Sequence, residues 1–207
     1  AGDVEGAALG YQRVRTEEPL HWYSLLAEAR LAAMGRPVSS PFAVAAPRPA
    51  GEFVPPAWPN VPSDALFFAS LGLTDDAAQQ VTARADAIRN DAPRGRRVEW
   101  LVAAYRMVGA TPDAFRLAAR QEDLLNHAPG DDNRWAWEAA YPRPYAREVR
   151  QIAGQHEIDP AYVWASMRQE SAYDPGVTSH AGAVGLLQMM PENARRRARA
   201  LGLRYRS

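Results

Sequence analysis

Apolar and polar residues alternate along most of the chain with the three- and four-residue spacing of amphipathic α-helices. This spacing predicts two such helices within residues 3–34. The second carries an apolar stripe made of Trp22, Leu25, Leu26, Ala29 and Ala33. Gly35 ends this run, because glycine favours the end of a helix. Two consecutive helices with apolar faces and a short connection predict a helical hairpin.

Prolines interrupt the helical pattern after this hairpin. Eight of them fall between Arg36 and Pro62. Proline lacks a backbone N–H and fixes its own φ, so no continuous helix can form there. We predict an extended connector over residues 36–62 with some polyproline II character. A plain linker is favoured over a proline-rich ligand motif.

Helical patterns resume at residue 63. Ser63, Thr74 and Thr111 are predicted N-caps, because their hydroxyls can accept a backbone N–H at the start of a helix. The run that follows Thr74 has one apolar face with the positions Ala77, Ala78, Val81, Ala85 and Ile88. Strand patterns are nearly absent. Short amphipathic helices bury their apolar faces by stacking, so we predict a mainly α protein with a curved helical array over residues 1–140.

A further helix is predicted from Asp159, a good N-cap, and Pro160, which is favoured at the first helical position. Val163, Met167 and Glu170 follow at spacings that place them on one face. Glu170 would therefore lie at the end of an apolar stripe. Apolar surroundings disfavour a charged carboxylate, and a carboxylic acid that stays protonated near neutral pH can act as a general acid. Glu170 is the candidate catalytic residue.

Small residues follow Glu170 where the backbone would turn tightly or approach a ligand. Gly182, Ala183 and Gly185 precede a segment that contains Gln188, Met189 and Met190. An amide among flexible apolar side chains suits a sugar, because it can bind hydroxyl and amide groups while methionines supply adaptable apolar surface.

This stretch resembles the soluble lytic transglycosylases, whose catalytic domain is lysozyme-like. Their pattern has a Glu-Ser pair, Asn-Pro or Asp-Pro, a serine, Gly-Ala-x-Gly-Leu and Gln-x-Met-Pro. The corresponding residues here are Glu170-Ser171, Asp174-Pro175, Ser179, Gly182-Ala183-Val184-Gly185-Leu186 and Gln188-Met189-Met190-Pro191. So many fixed positions at fixed spacing make a specific signal. One departure is Asn193, where the family often has threonine.

The resemblance implies that residues 141–207 are part of a lysozyme-like transglycosylase domain that follows the helical array. It also implies a role for four residues. Glu170 would be the single catalytic acid and base, and Ser179, Gln188 and Met190 would bind the saccharide. The expected reaction cleaves the β-1,4 bond between N-acetylmuramic acid and N-acetylglucosamine in peptidoglycan and forms a 1,6-anhydro sugar.

One carboxylate is enough for this reaction. Ordinary glycosidases need two, one acid and one base or nucleophile. In the expected reaction the attacking C6 hydroxyl is already part of the substrate, so its high effective molarity replaces an activated water. We expect neither a cofactor nor a metal.

The family also has an Ala-Tyr-Asn-Ala-Gly segment that closes the other side of the groove, and the sequence contains none. We therefore expect that the domain is a fragment, that its remainder lies beyond this sequence, or that another chain completes it.

Composition excludes several kinds of protein. The formal net charge of zero argues against strong attraction to nucleic acid or anionic membranes, and the absence of cysteine excludes disulfides and thiolate metal sites. The four histidines lack metal-ligand spacing. No run reaches the roughly 18 apolar residues of a membrane span.

The expected partners are peptidoglycan glycan strands, with a protein partner on the helical array as a further option. The expected location is the periplasm or cell envelope.

Several residues have a second interpretation. Asp174 could be a second carboxylate, but a turn is favoured for Asp-Pro after a helix. Tyr173 could stack on a sugar or belong to the core. Ser179 is expected to hydrogen-bond to Glu170 or substrate. The cluster of Arg195, Arg196, Arg197 and Arg199 is interpreted as a solvated helix face.

Two rival functions remain open. A hydrolytic muramidase of the goose-lysozyme type has the same fold but releases a reducing end. A chain without turnover could bind glycan or partner proteins.

Overall fold

The structure is a computed structural model that describes residues 3–19, 21–36, 38 and 58–205. This described part is mostly helical and has no sheet, so the predicted mainly α class is confirmed. Its helices are α1 (Val4–Glu17), α2 (Trp22–Ala33), α3 (Ser63–Ser70), α4 (Thr74–Ala83), α5 (Ala85–Asn90), α6 (Arg97–Met107), α7 (Thr111–Ala118), α8 (Glu122–Leu125), α9 (Arg134–Ala140), α10 (Ala146–Gln155), α11 (Pro160–Ser171) and α12 (Pro191–Ala200).

The chain forms two compact units. One comprises residues 1–57 and 119–138, and the other comprises residues 58–118 and 139–207. The predicted division into residues 1–140 and 141–207 stays a prediction, because packing does not show which segments fold by themselves. Most of the predicted connector, residues 39–57, lies outside the described residues.

In the first unit, α1 and α2 pack against each other, which confirms the predicted hairpin. The predicted face of α2 is wrong. Its buried residues are Ser24, Ala27 and Leu31, whereas Trp22 and Leu25 are exposed. Serine and alanine are small, so this face lets two helices approach closely, which the large apolar side chains would prevent.

Asn133 organises the remainder of the first unit. This buried side chain donates from Nδ2 to the carbonyl oxygens of Leu124 at 2.9 Å and Ala128 at 3.1 Å, and its Oδ1 accepts from Gly130 N at 2.6 Å. A buried amide must use its hydrogen-bonding groups, so Asn133 fixes the turn between α8 and α9.

Helix α6 is the centre of the second unit. It packs against α4, α5 and α7 and buries Trp100, Leu101, Val102, Ala104 and Tyr105. The hydroxyl groups of Tyr105 and Thr82 lie 2.8 Å apart, which gives the buried phenol a hydrogen-bond partner.

The apolar run predicted after Thr74 is two helices, because the backbone leaves helical geometry at Arg84 (φ −115°, ψ 17°). The Nη2 of Arg84 donates to Asp64 Oδ2 at 2.8 Å, so an ion pair holds the chain at the break between α4 and α5. Helices α3, α4 and α7 begin at Ser63, Thr74 and Thr111 themselves, one residue earlier than the predicted caps imply.

No helix in the described ranges is long and apolar enough to cross a membrane.

Candidate active site

Helix α11 begins as the sequence predicts. The Asp159 carboxylate accepts a hydrogen bond from Ala161 N at 2.9 Å, and Pro160 occupies the first turn. The helix packs against α10, and Trp164 Nε1 donates to Pro144 O at 3.0 Å. Met167 and Ser171 are buried, and Ser171 Oγ donates to Met167 O at 2.8 Å. The start of the helix and one of its sides are therefore fixed.

The predicted position of Glu170 on a buried stripe is wrong, since its side chain is exposed. The side of α11 that packs contains Trp164, Met167, Arg168 and Ser171. At 100° per residue, Glu170 lies about 110° from the centre of that side. The described residues therefore place the candidate acid in water, where a glycan could reach it.

Arg168 packs below the C-terminal end of α11. Its guanidinium carbon lies 5.0 Å from the ring centre of Tyr141 and 5.4 Å from that of Phe115. A cation over two aromatic faces is attracted by both rings, so this contact ties α11 to α7 and to the residue that follows α9.

A tight turn follows Glu170 and Ser171. Ala172 and Tyr173 both have positive φ, 51° and 65°. Tyr173 N donates to Met167 O at 3.2 Å, which closes the helix in the manner of a Schellman motif. Asp174 Oδ1 then accepts from Gly176 N at 2.8 Å, so the predicted turn role of Asp174 is confirmed.

Tyr173 belongs to the core. Its side chain is 3% exposed and meets the Phe115 ring edge-on at 5.2 Å, so it does not offer a stacking surface to a sugar. Burial raises its pKa to about 12, against the opposing effect of the Arg168 charge.

The segment after this turn, residues 177–190, is called the open segment here because none of its residues is buried. Val184 and Met189 exchange backbone hydrogen bonds of 3.1 Å, and Gly185 N donates to Val177 O at 2.9 Å. Gly182 and Gly185 have φ of 82° and 78°, which glycine adopts without strain. Backbone hydrogen bonds therefore give this exposed segment a defined shape.

Ser179 and Gln188 hold the open segment from within. Ser179 Oγ accepts from Ala183 N at 3.0 Å, and within the described residues it makes no hydrogen bond with Glu170. Gln188 has a positive φ of 45°, and its Nε2 donates to Val177 O at 3.2 Å and Gly185 O at 2.9 Å. Both side chains are half-buried, and each keeps one polar function for a ligand: the Ser179 O–H and the Gln188 carbonyl oxygen.

Met190 adds apolar surface to the open segment. It is 40% exposed and precedes α12 as its N-cap. Val184, Leu187 and Met189 are exposed to a similar extent. The structure therefore places Gln188 and Met190 in one segment, with polar groups and apolar surface side by side. The sequence analysis does not predict that Val184 lies at the centre of the open segment, although Gly182 and Gly185 on either side of it indicate a non-helical backbone.

Helix α12 buries no residue, so the exposed arginines agree with the predicted solvated face. In the part of the chain that the structure describes, no group of three or more His, Cys, Asp or Glu side chains could hold a metal ion.

Comparison with known proteins identifies relatives of the C-terminal region. The family named Transglycosylase SLT domain matches residues 148–207. Membrane-bound lytic murein transglycosylase C of Actinobacillus pleuropneumoniae serotype 5b (strain L20) is 39% identical over 54 residues, or 26% of this chain and 15% of the relative. The homologue from serotype 3 (strain JL03) has the same identity and coverage. The chain thus spans only a small part of these relatives.

A solved structure resembles the whole chain. It is the X-ray structure of an inactive mutant of lytic transglycosylase Slt from Pseudomonas aeruginosa, in which a glutamate is replaced by glutamine. The TM-score is 0.52 at 20% sequence identity, and the match covers 100% of this chain and 30% of the Slt chain. At this identity the similarity shows the fold alone.

Proposed function

We propose, from the lytic transglycosylase-family domain that residues 148–207 carry, that this protein cleaves peptidoglycan glycan strands. The bond is the β-1,4 link between N-acetylmuramic acid and N-acetylglucosamine, and the product ends in 1,6-anhydro-N-acetylmuramic acid. The observation that carries this proposal is the position of Glu170. It is an exposed carboxyl at the C-terminal end of a well-fixed helix, close in sequence to an ordered segment that has sugar-binding chemistry.

Glu170 acts twice in the proposed reaction. As a carboxylic acid it donates its proton to the glycosidic oxygen, and the bond from that oxygen to C1 of the muramic sugar breaks. As a carboxylate it then takes the proton of the C6 hydroxyl, whose oxygen bonds to C1. No water is consumed, and Glu170 is protonated again at the end.

The bound glycan supplies the desolvation that the described residues do not. Glu170 is exposed in the free chain, and a sugar that covers it excludes water from the site of proton transfer. The Ser179 hydroxyl and the Gln188 carbonyl oxygen bind polar groups of the sugar, and Met190 contacts its apolar face. One further observation supports the proposed activity: the relatives of the C-terminal region are named murein transglycosylases. We assign the protein to the cell envelope because its substrate lies there.

Digestion of purified sacculi tests the role of Glu170. The Glu170→Gln variant keeps the shape of the side chain but removes its proton transfer, so release of anhydro sugars should fall by about a hundredfold or more. Glu148→Gln is the matched control, because Glu148 is also exposed and lies on α10. Equal release by both variants would exclude Glu170 as the acid.

Glycan binding without turnover is the second candidate function, favoured by the exposure of Glu170. It predicts that the wild-type chain sediments with sacculi and releases no muropeptide, and that Glu170→Gln sediments equally well. Release of a reducing end in place of an anhydro end would instead indicate a goose-lysozyme type of hydrolysis.

A further inference from the structure

Glu170 lies between two residues that pack on the same aromatic ring, that of Phe115 on α7. Arg168 comes shortly before Glu170 in the sequence, and its guanidinium carbon lies 5.4 Å from the centre of this ring. Tyr173 comes shortly after Glu170 and meets the ring edge-on, with 5.2 Å between the ring centres. The short stretch that carries the proposed acid is therefore attached to α7 both before and after Glu170.

Backbone hydrogen bonds close the same stretch. Ala172 N donates to Arg168 O at 3.2 Å, and Tyr173 N donates to Met167 O at 3.2 Å. These bonds span Glu170 and hold the last turn of α11 together. A displacement of the backbone at Arg168 is therefore transmitted to Glu170, because both residues belong to one hydrogen-bonded turn.

The surroundings of Arg168 are unusual for a residue that only stabilises a fold. Its Nε is buried and has no hydrogen-bond partner in the described part of the chain. Other arginines of the same unit, such as Arg84 and Arg116, form ion pairs with carboxylates. Partial burial of a cation without such a partner costs free energy, which the attraction of the two aromatic rings offsets only in part. Stability alone therefore does not require an arginine at this position.

A planar guanidinium restricts the end of α11 more than an aliphatic side chain would. It lies 5.0 Å from the ring centre of Tyr141 and 5.4 Å from that of Phe115, so a rotation of the helix end would move it away from one of the rings. Proton transfer from Glu170 requires its carboxyl group within hydrogen-bond reach of the glycosidic oxygen. A displacement of about 1 Å can lower the rate of such a step by about a hundredfold.

We propose that Arg168 is a positioning residue for Glu170. Its guanidinium, in contact with the rings of Tyr141 and Phe115, fixes the end of α11 in the geometry that proton transfer requires. This inference rests on the proposed cleavage, in which Glu170 is both acid and base. Arg168 affects the rate of bond cleavage and not the binding of glycan, because the groups assigned to binding lie in the open segment.

Arg168→Met tests this role, since methionine keeps an unbranched side chain and removes the planar cation. The kcat for release of anhydro sugars from purified glycan strands should fall by about tenfold or more, while KM changes by less than about twofold. The urea midpoint should change little, because the variant also loses a poorly compensated charge. A higher KM with an unchanged kcat would overturn the proposal.

Arg150→Met is the matched control. The guanidinium carbon of Arg150 lies 5.9 Å from the ring centre of Trp164, so this contact also places a cation over an aromatic ring at α11. Trp164 lies more than one helical turn before Glu170. The control variant should therefore change kcat by less than about twofold. Equal losses of kcat in the two variants would exclude a specific role of Arg168.

Arg168→Lys provides a second variant that keeps the charge and loses the planar group. Its kcat should be lower than that of the wild type by about threefold or more, but higher than that of Arg168→Met. If Arg168→Met does not fold, this variant still decides, since a wild-type kcat in Arg168→Lys would show that the planar guanidinium is not needed.

Backbone dynamics separate a failure of this inference from a failure of the proposed function. In ¹⁵N relaxation measurements the order parameter of the Glu170 amide should be lower in Arg168→Met than in the wild type and unchanged in Arg150→Met. If this difference is found but the wild type releases no product, the proposed cleavage is wrong and the positioning of Glu170 by Arg168 stands. Equal order parameters in the three proteins would exclude the positioning role whatever the activity.

Discussion

The packed side of α11 and the open segment are held in shape by different forces. The packed side buries Met167 and Ser171 and continues into Tyr173, which is 3% exposed. The open segment buries no side chain and relies on hydrogen bonds within its own backbone and from Ser179 and Gln188. Hydrophobic burial thus provides stability on one side, and exposed groups remain free for a ligand on the other. Substitutions in the two regions should therefore have different consequences.

Met167→Ala should have the largest effect on stability. The side chain is 5% exposed, and its removal leaves a cavity below α11 that costs about 2–5 kcal/mol. Met190→Ala is the matched change in the open segment, where the side chain is 40% exposed, and should cost less than about 0.5 kcal/mol. Urea unfolding of both variants measures the difference. Equal losses would show that the open segment is as tightly packed as the helix.

The pH dependence of stability should report Tyr173. Its folded pKa of about 12 is higher than the ordinary value of 10.0, so the folded state holds this proton more tightly than the unfolded state. The resulting stability is present below pH 10 and is lost as the pH rises from 10 to about 12.

Urea unfolding between about pH 9 and 12 should therefore show a steeper decline for the wild type than for Tyr173→Phe, which has no proton to lose. If the free energies of unfolding of the two proteins decline in parallel with pH, the Tyr173 hydroxyl is accessible to water.

Gln188→Glu should loosen the open segment. It replaces two N–H donors by a carboxylate next to the carbonyl oxygens of Val177 and Gly185, at a local cost of about 1–3 kcal/mol. Hydrogen exchange at the Val184 and Met189 amides should become faster, since their bonds open with the segment. Gln169→Glu, the same change at an exposed position of α11, should leave these amides unaffected. Unchanged exchange in Gln188→Glu would contradict the role of this amide.

Asp159→Ala should have a small effect, a loss of about 1 kcal/mol, because it removes the hydrogen bond to Ala161 N at the start of α11. Asp159→Asn keeps an acceptor and should retain most of the stability. The melting temperatures of the two variants separate these outcomes. An equal decrease in both would assign the effect to charge and not to capping.

Local signals in the sequence predict the ends of elements well. Asp159 and Pro160 start α11 as expected, because an N-cap depends on a few neighbouring residues. The turn role of Asp174 follows from the same kind of local chemistry.

The buried faces were less predictable. In α11 two stripes share Met167, one with Val163 and Glu170 and the other with Trp164 and Ser171. Which stripe is buried depends on distant contacts such as the bond from Trp164 Nε1 to Pro144 O, 20 residues away. In α2 the face with small side chains is buried for the same reason, because the shape of the partner helix determines which face packs.

The candidate site was predictable as a set of positions but not as a set of contacts. The motif indicates Ser179 and Gln188, yet it does not reveal that both hold the open segment together. The positive φ of Gln188 also leaves no sign in the sequence, because glycine is the residue expected in that conformation. Roles that depend on tertiary hydrogen bonds need the folded chain.

Digestion of sacculi by the wild-type protein in oxygen-18 water tests the central claim most directly. If the C6 hydroxyl of the substrate is the nucleophile, the released muropeptides should end in anhydro sugars, which are lighter than hydrolysis products by one water and contain no oxygen-18. Products that carry oxygen-18 at a reducing end would show that water attacks C1 and would contradict the account.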